Sequence, residues 1–163
     1  MDPAHVHWWQ RVIRRLAFTV WGSWLIASRL HAWDRAVLKL TRGRSTATTL
    51  LTGYEVILLR SRGAHTGEPR ITPLLAIEDG QGLLLVATNF GSSRHPAWYY
   101  NLKAQPQVEI ERQSQNLLYD AHELSGEHWK QAWRRAVNHF PGYAAYRART
   151  GSRAIPIFRL LPR

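Results

Sequence analysis

Short apolar runs of strand length, separated by turn signals, fill the C-terminal two-thirds of the chain and restrict it to a β-rich fold. Glu55 to Arg60 (EVILLR) is one such run. Arg70 to Glu78 is a second; it stops at Asp79-Gly80 and resumes as Leu83 to Ala87 (LLLVA), which is a hairpin signal. Gln107 to Arg112 (QVEIER) and Asn116 to His122 alternate polar and apolar residues on either side of Ser114-Gln115. Ile155 to Leu161 (IPIFRLL) reads as a last strand. Six strands with few helices between them favour a small antiparallel barrel over a parallel sheet, in a mainly β, α+β chain. His95-Pro96-Ala97 opens a short helix through Lys103, with Pro suited to a first turn. Ser125 caps a longer helix with Trp129, Ala132, Trp133, Ala136, Val137 and Phe140 on one face. Pro141-Gly142 stops that helix, and Tyr143 to Arg149 reads as a further turn or two.

The N-terminal third is different. It holds five of the eight Trp (Trp8, Trp9, Trp21, Trp24, Trp33), and eight Lys or Arg up to Gly53 against only Asp2 and Asp34. The whole chain carries a formal charge of +11, so this third is its most basic element and calls for an anionic partner. Apolar residues recur at helical spacing: Val6, Trp9, Ile13, Leu16, Val20, Trp24 and Ala27, then Leu30, Trp33, Val37 and Leu40. Residues 1–44 therefore read as a basic amphipathic helical segment, and 45–163 as the β domain, with Arg42 to Gly53 connecting them. The uncharged run Leu16 to Ser28 is short of the roughly 20 residues that span a bilayer. A small-residue cleavage site after Arg14-Arg15 is also lacking. Such a helix either lies at a membrane surface or packs its stripe on the protein body or a second subunit; periodicity does not separate the two.

Several chemistries are excluded. Without Cys there is no disulfide scaffold, thiolate zinc site or cysteine nucleophile. Phosphate loops, Rossmann glycines and HExxH are absent. His5 and His7 sit in a terminus prone to fraying, His122 beside Glu123 reads as an outward polar pair, and Ser92-Ser93 lacks a nucleophile elbow. No metal is expected. Interleaved Arg and Trp in a basic chain suit nucleic acid or anionic lipid. However, no nucleic-acid motif is present, and that reading leaves His-Pro-Ala-Trp-Tyr unexplained, so no nucleic-acid partner is expected.

The informative stretch runs from Arg60 to Leu102. Gly63-Ala64-His65-Thr66-Gly67-Glu68-Pro69-Arg70 joins two strands and offers backbone N–H groups, a hydroxyl and positive charge, which suit a phosphate or polycarboxylate. Taken alone it is also an ordinary basic hairpin turn. Thr88-Asn89-Phe90-Gly91 follows the next strand, and Arg94-His95-Pro96-Ala97-Trp98-Tyr99-Tyr100-Asn101-Leu102 sets a helix N-terminus beside aromatics.

These motifs, with Phe140-Pro141-Gly142-Tyr143 through Tyr146 and the closing Ile155-Pro156-Ile157 with Arg159-Leu160, occur in an order that resembles the deazaflavin-dependent nitroreductase family. The likeness runs from about Trp33 to the C-terminus. It implies a split β-barrel related to the flavin-reductase and pyridoxamine-phosphate-oxidase (PNP-oxidase) folds. It also implies binding of reduced coenzyme F420, a deazaflavin ending in phosphate and polyglutamate, with FMN as the same-fold alternative. Family members pass a hydride to quinones and, in some cases, nitroaromatic or nitroimidazole compounds. Several sit at the inner face of the cytoplasmic membrane through a helical N-terminus, so a cytoplasmic protein with peripheral membrane contact, monomeric or homodimeric, is the expectation.

Carried over by motif, the resemblance implies that Ala64, His65, Thr66 and Arg70 hold the phosphate and acidic tail. Ile71, Thr72, Pro73, Leu74 and Leu75, with Val86, Ala87, Thr88 and Asn89, run along the ring and ribityl chain. Ala97, Trp98, Tyr99, Tyr100 and Asn101 complete the phosphate side. Tyr143 borders cofactor and acceptor, and Leu75, Thr88, Phe140 and Tyr146 line the acceptor pocket. Thr88, Tyr143 and Tyr146 are the expected catalytic donors to an acceptor oxygen. Two positions depart from the family pattern. Ala64-His65 replaces a strongly basic pair, so the tail leans on Arg70, Arg62 and Arg94. Phe140 replaces a tyrosine, which favours quinones over nitroimidazoles.

Overall fold

Two strands that are neighbours in sequence lie at opposite edges of one sheet. A computed structural model describes residues 56–80, 82–112 and 115–163. Its elements are β1 (Val56–Arg62), β2 (Pro69–Leu75), β3 (Ile77–Asp79), β4 (Gly82–Val86), a 3-10 turn (Asn89–Gly91), α1 (Ala97–Ala104), β5 (Gln107–Arg112), β6 (Gln115–Glu123), α2 (Gly126–His139), α3 (Gly142–Arg149) and β7 (Ile157–Pro162). The strand order is β2-β1-β5-β6-β7-β4-β3. Only Ala76 separates β2 from β3, and one residue spans at most about 7 Å between its neighbours. The sheet must curl until its two edges meet at Ala76, which makes an antiparallel half-barrel.

That corner also corrects the strand reading. Arg70 to Glu78 was expected as one strand, but it is two, and the sheet has seven strands among the described residues rather than six. Apolar character continues through Ala76, so hydropathy hides the break; only the pairing partners change. The Asp79-Gly80 turn does close a hairpin, with Asp79 opposite Gly82 and Ile77 opposite Leu84. β7 begins at Ile157 rather than Ile155 because Pro156 has no N–H to donate to a ladder. α3 starts at Gly142, one residue earlier than its aromatic pattern suggests.

Two apolar clusters flank the sheet. Inside the curl, Ile57, Leu59, Leu83, Leu85, Val108, Ile110, Phe158 and Leu160 pack with Trp98 and Leu102 of α1. On the other face, Ile77, Leu84, Val86 and Ile157 pack against Ala132 and Ala136 of α2 and Tyr143 and Tyr146 of α3. β4 is therefore buried on both faces, which explains an unbroken Leu-Leu-Leu-Val run in place of alternation. Asp79 fastens the edge hairpin to β7 and α2 through Arg159, at 2.7 Å, and Arg135, at 3.2 Å.

No helix among the described residues is long and apolar enough to cross a membrane. The helical segment expected over 1–44, its membrane contact, and His5 and His7 lie outside the described residues.

Candidate functional site

The loop joining β1 to β2 is held in shape by its own hydrogen bonds. Gly63 N–H donates to Glu68 O, and Gly67 N–H to Gly63 O, each at 2.8 Å. Gly67 has φ +69°, where glycine is strain-free, and a Cβ on Gly63 would stand 2.6 Å from Thr66 Oγ1. Arg62 Nη1 donates to Gly67 O at 3.1 Å. Asn101 ties the loop to α1: its Oδ1 accepts from Ala64 N–H at 2.9 Å, and its Nδ2 donates to Ser61 Oγ at 3.3 Å.

Between loop, strand and helix lies a cavity of about 280 Å³. Gly63, Ala64, His65 and Thr66 line it from the loop; Arg70, Ile71 and Thr72 from β2; Ala97, Trp98 and Asn101 from α1. The Gly63–Arg70 turn and the start of α1 therefore share one cleft, whereas the Thr88–Gly91 turn, also expected to grip the anion, does not line it. None of these lining residues is acidic. Arg70 meets Glu68 at 3.8 Å with both side chains more than half exposed, a pairing worth at most about 1 kcal/mol that leaves the guanidinium available. Tyr99 N–H, in the first turn of α1, donates to Pro96 O at 3.1 Å, which leaves the helix-start N–H groups of Ala97 and Trp98 at the end that lines the cavity. Such a cleft suits a phosphate or carboxylate.

Four residues along β2 the surroundings change. Leu74 packs into the inner cluster, whereas Leu75 packs into the outer one with Phe140, Tyr143 and Tyr146. Extended strand covers that interval in about 13 Å, so one strand runs from the cleft to an aromatic cluster. In that cluster, Phe140 lies 5.0 Å from Tyr143 and 6.2 Å from Tyr146 between ring centres. Burial pushes the Tyr146 hydroxyl above its ordinary value, with nearby Arg149 opposing. It therefore stays a proton-bearing donor at neutral pH.

The turn after β4 packs beside the aromatic cluster, with Phe90 edge-on to Tyr146. Thr88 is buried; its N–H donates to Val86 O at 2.9 Å, and its carbonyl accepts from Gly91 N–H at 3.0 Å. Its hydroxyl forms no hydrogen bond with another described residue. Asn89, Phe90 and Gly91 all have positive φ, at 48°, 55° and 83°, and two non-glycine residues there store on the order of 1–3 kcal/mol each. Asn89 Nδ2 donates to Arg94 O at 3.0 Å, which closes the turn. Gly91 is pressed onto α3: a Cβ would stand 2.8 Å from Arg149 Cβ and 3.0 Å from Tyr146 O.

Of the expected cofactor residues, Ala64, His65, Thr66, Arg70, Ile71, Thr72, Ala97, Trp98 and Asn101 share the cleft. Asn101 serves it indirectly, because its amide is spent on the loop. Leu74 and Ala87 are core residues. Tyr99 and Tyr100 do not line the cavity; Tyr99 stacks on His95 at 4.6 Å and tilts against Phe158, while Tyr100 is exposed. Two residues were missed. Phe90, 53% exposed, meets Tyr146 edge-on at 6.0 Å and was legible in the Asn-Phe-Gly motif. Arg153 donates to Ala87 O and Thr88 O. It carried no sequence signal, since its partners are backbone carbonyls more than sixty positions away.

A family model described as F420H(2)-dependent quinone reductase matches residues 33–162. An F420H(2)-dependent quinone reductase of Mycobacterium tuberculosis H37Rv is 50% identical over 54 residues, 33% of this chain and 36% of that protein. This chain thus matches about a third of the length of the first relatives found. A second protein of that organism, provisionally named an F420H(2)-dependent quinone reductase, is 30% identical over 107 residues, covering 66% of this chain and 89% of the relative. The solved structure of an F420-H2 dependent reductase (FDR-A) aligns with TM-score 0.59 at 36% identity, over 64% of this chain and 92% of that one. HutZ, a haem storage protein of Vibrio cholerae, aligns at 15% identity with TM-score 0.51, over 80% and 90% of the two chains, and shows the fold alone. With its half-barrel sheet and a family match that spans most of its length, the chain belongs to the F420H(2)-dependent quinone reductase family.

Proposed function

We propose that this chain binds reduced coenzyme F420 with its phosphate and acidic tail in the cleft between the Gly63–Thr66 loop, β2 and α1, and passes a hydride to a quinone held against the aromatic cluster of Phe140, Tyr143 and Tyr146. The observation that carries this is the acid-free cleft of about 280 Å³ joined by a single strand to the aromatic cluster of Phe140, Tyr143 and Tyr146. The fit is chemical: Arg70, loop N–H groups and a helix start match an anionic handle, and Ile71, 55% exposed beside the cleft, offers apolar surface to a flat ring. The family is named for F420H2, and nothing comparable supports FMN.

Bound reduced F420 supplies the hydride. The chain's task is to bind, orient and polarise. Thr88 offers an uncommitted hydroxyl, and Tyr146 a protonated one, to an acceptor oxygen as charge develops there. No side chain has to serve as an obligate base. Phe140 adds apolar wall without a donor, which suits quinones better than nitro compounds. The basic segment 4–44 brings the protein to an anionic membrane face, and a relative described as a domain-swapped dimer, 31% identical, suits a homodimer here.

Titrating F420 by its fluorescence tests the reading. Arg70→Ala should weaken binding about tenfold or more, as expected for losing a charge-assisted contact. Wild-type protein that leaves the fluorescence unchanged would remove the proposal.

A further inference from the structure

Arg153, in the loop between α3 and β7, spends its guanidinium on one segment. Nη2 donates to Thr88 O at 2.6 Å, Nη1 to Ala87 O at 3.0 Å, and Nε to Ser92 O at 2.9 Å. Nη1 also meets His95 Nδ1 at 3.2 Å, and the neighbouring Ala154 O at 3.3 Å. It forms no ion pair among the described residues. The carbonyls it gathers bracket Asn89, Phe90 and Gly91, the three positive-φ residues, and the other side of that turn rests on α3 through Gly91. Strain of this kind persists only where surroundings over-determine it, and the guanidinium fork is such a constraint on both flanks of the turn.

We propose that Arg153 is a positioning residue: it clamps the strained Thr88–Ser92 turn against α3, sets where the Thr88 hydroxyl meets the acceptor, and does so only while His95 Nδ1 is free to accept. The assignment to catalysis rests on the function proposed above; the clamp itself does not. A guanidinium can only donate, so His95 must be neutral with its proton on Nε2. Burial first, and then Arg153, hold His95 below its ordinary value of 6.5, with Glu123 opposing. The other groups facing it are Tyr99 and Tyr100 from α1, and Glu123 is itself paired with Lys103 at 2.9 Å. As pH falls through and below 6.5, the unfolded or unclamped state takes up the proton first, so the clamped form is lost on the acid side and complete above it.

Hydrogen exchange on the cofactor-free full chain reads the clamp directly. In Arg153→Ala, amides of residues 87–95 should exchange faster while the β5–β6 ladder stays protected. In turnover with reduced F420 and menadione, the same variant should lose kcat about tenfold or more, the scale of a misplaced reacting group, with F420 affinity retained because no cleft residue is touched. A second cavity of about 500 Å³, lined by Arg153, Ser152, Arg147 and Trp129, gives guanidinium ion a route to the vacated position. Millimolar guanidinium should restore turnover where NaCl at equal ionic strength does not, and Arg153→Lys, lacking the planar fork, should remain impaired. His95→Asn keeps an acceptor that cannot titrate, and should abolish the acid-side rise in exchange seen in wild type. Unchanged exchange in Arg153→Ala, or an acid limb that survives His95→Asn, overturns the clamp. Wild-type protein that does not oxidise reduced F420 removes the proposed function and leaves the exchange result to decide the clamp.

Discussion

Thr88 and Asn101 are both buried polar residues beside the candidate site, and they serve it differently. The Thr88 hydroxyl is uncommitted among the described residues, whereas the Asn101 amide is used on both ends. Thr88→Val keeps shape and removes the donor. It should lower kcat by about two orders of magnitude, the low end for losing one donor to a developing oxyanion, and leave F420 affinity intact. Steady-state kinetics beside a binding titration separates the two, and complete loss of turnover would contradict a purely positional role. Asn101→Leu removes the partners of Ala64 N–H and Ser61 Oγ together. Orphaning partly buried polar groups costs about 1–3 kcal/mol, so the melting temperature should fall and F420 binding weaken in the same variant. The amino-acid sequence announced Thr88 and Asn101 equally; only the hydrogen-bond partners distinguish a residue facing a ligand from one holding a wall.

At the scale of elements, the half-barrel edge, the 3-10 turn and α3 meet around the aromatic cluster. Gly91 is where turn and helix touch, and Gly91→Ala would force a Cβ to 2.8 Å from Arg149 Cβ at φ +83°. Gly67, at φ +69°, has nothing within 4 Å of its Cβ position. Alanine at Gly67 therefore costs backbone strain alone, about 1–2 kcal/mol, while alanine at Gly91 adds a displaced α3. Gly91→Ala should destabilise more in urea unfolding and should lower kcat; equal effects at the two glycines would mean that the turn and helix are not coupled. Most elements were readable from alternation and turn chemistry, including the Asp79-Gly80 hairpin and the helix opening after Pro96. The break at Ala76 was not, because pairing with opposite sheet edges leaves no trace in hydropathy. The positive φ at Asn89 and Phe90 was equally hidden, since an Asn-Phe-Gly stretch is compatible with several turns.

Across the whole molecule, the charge of +11 and the acid-free cleft both suit the anionic cofactor proposed above. The curl that brings β2 and β3 together also places the cleft at one end of β2 and the aromatic cluster at the other. The fold class and most of the cleft were legible because the turn and helix-start chemistry is local. The Arg153 clamp was not, because a guanidinium reading backbone carbonyls depends on topology and not on neighbouring residues. The most direct measurement is anaerobic mixing of the full chain with reduced F420 and menadione, following F420 reoxidation. The account predicts catalysed oxidation that saturates in both reactants and weakens in Arg70→Ala through F420 affinity. Oxidation no faster than a protein-free control would contradict it.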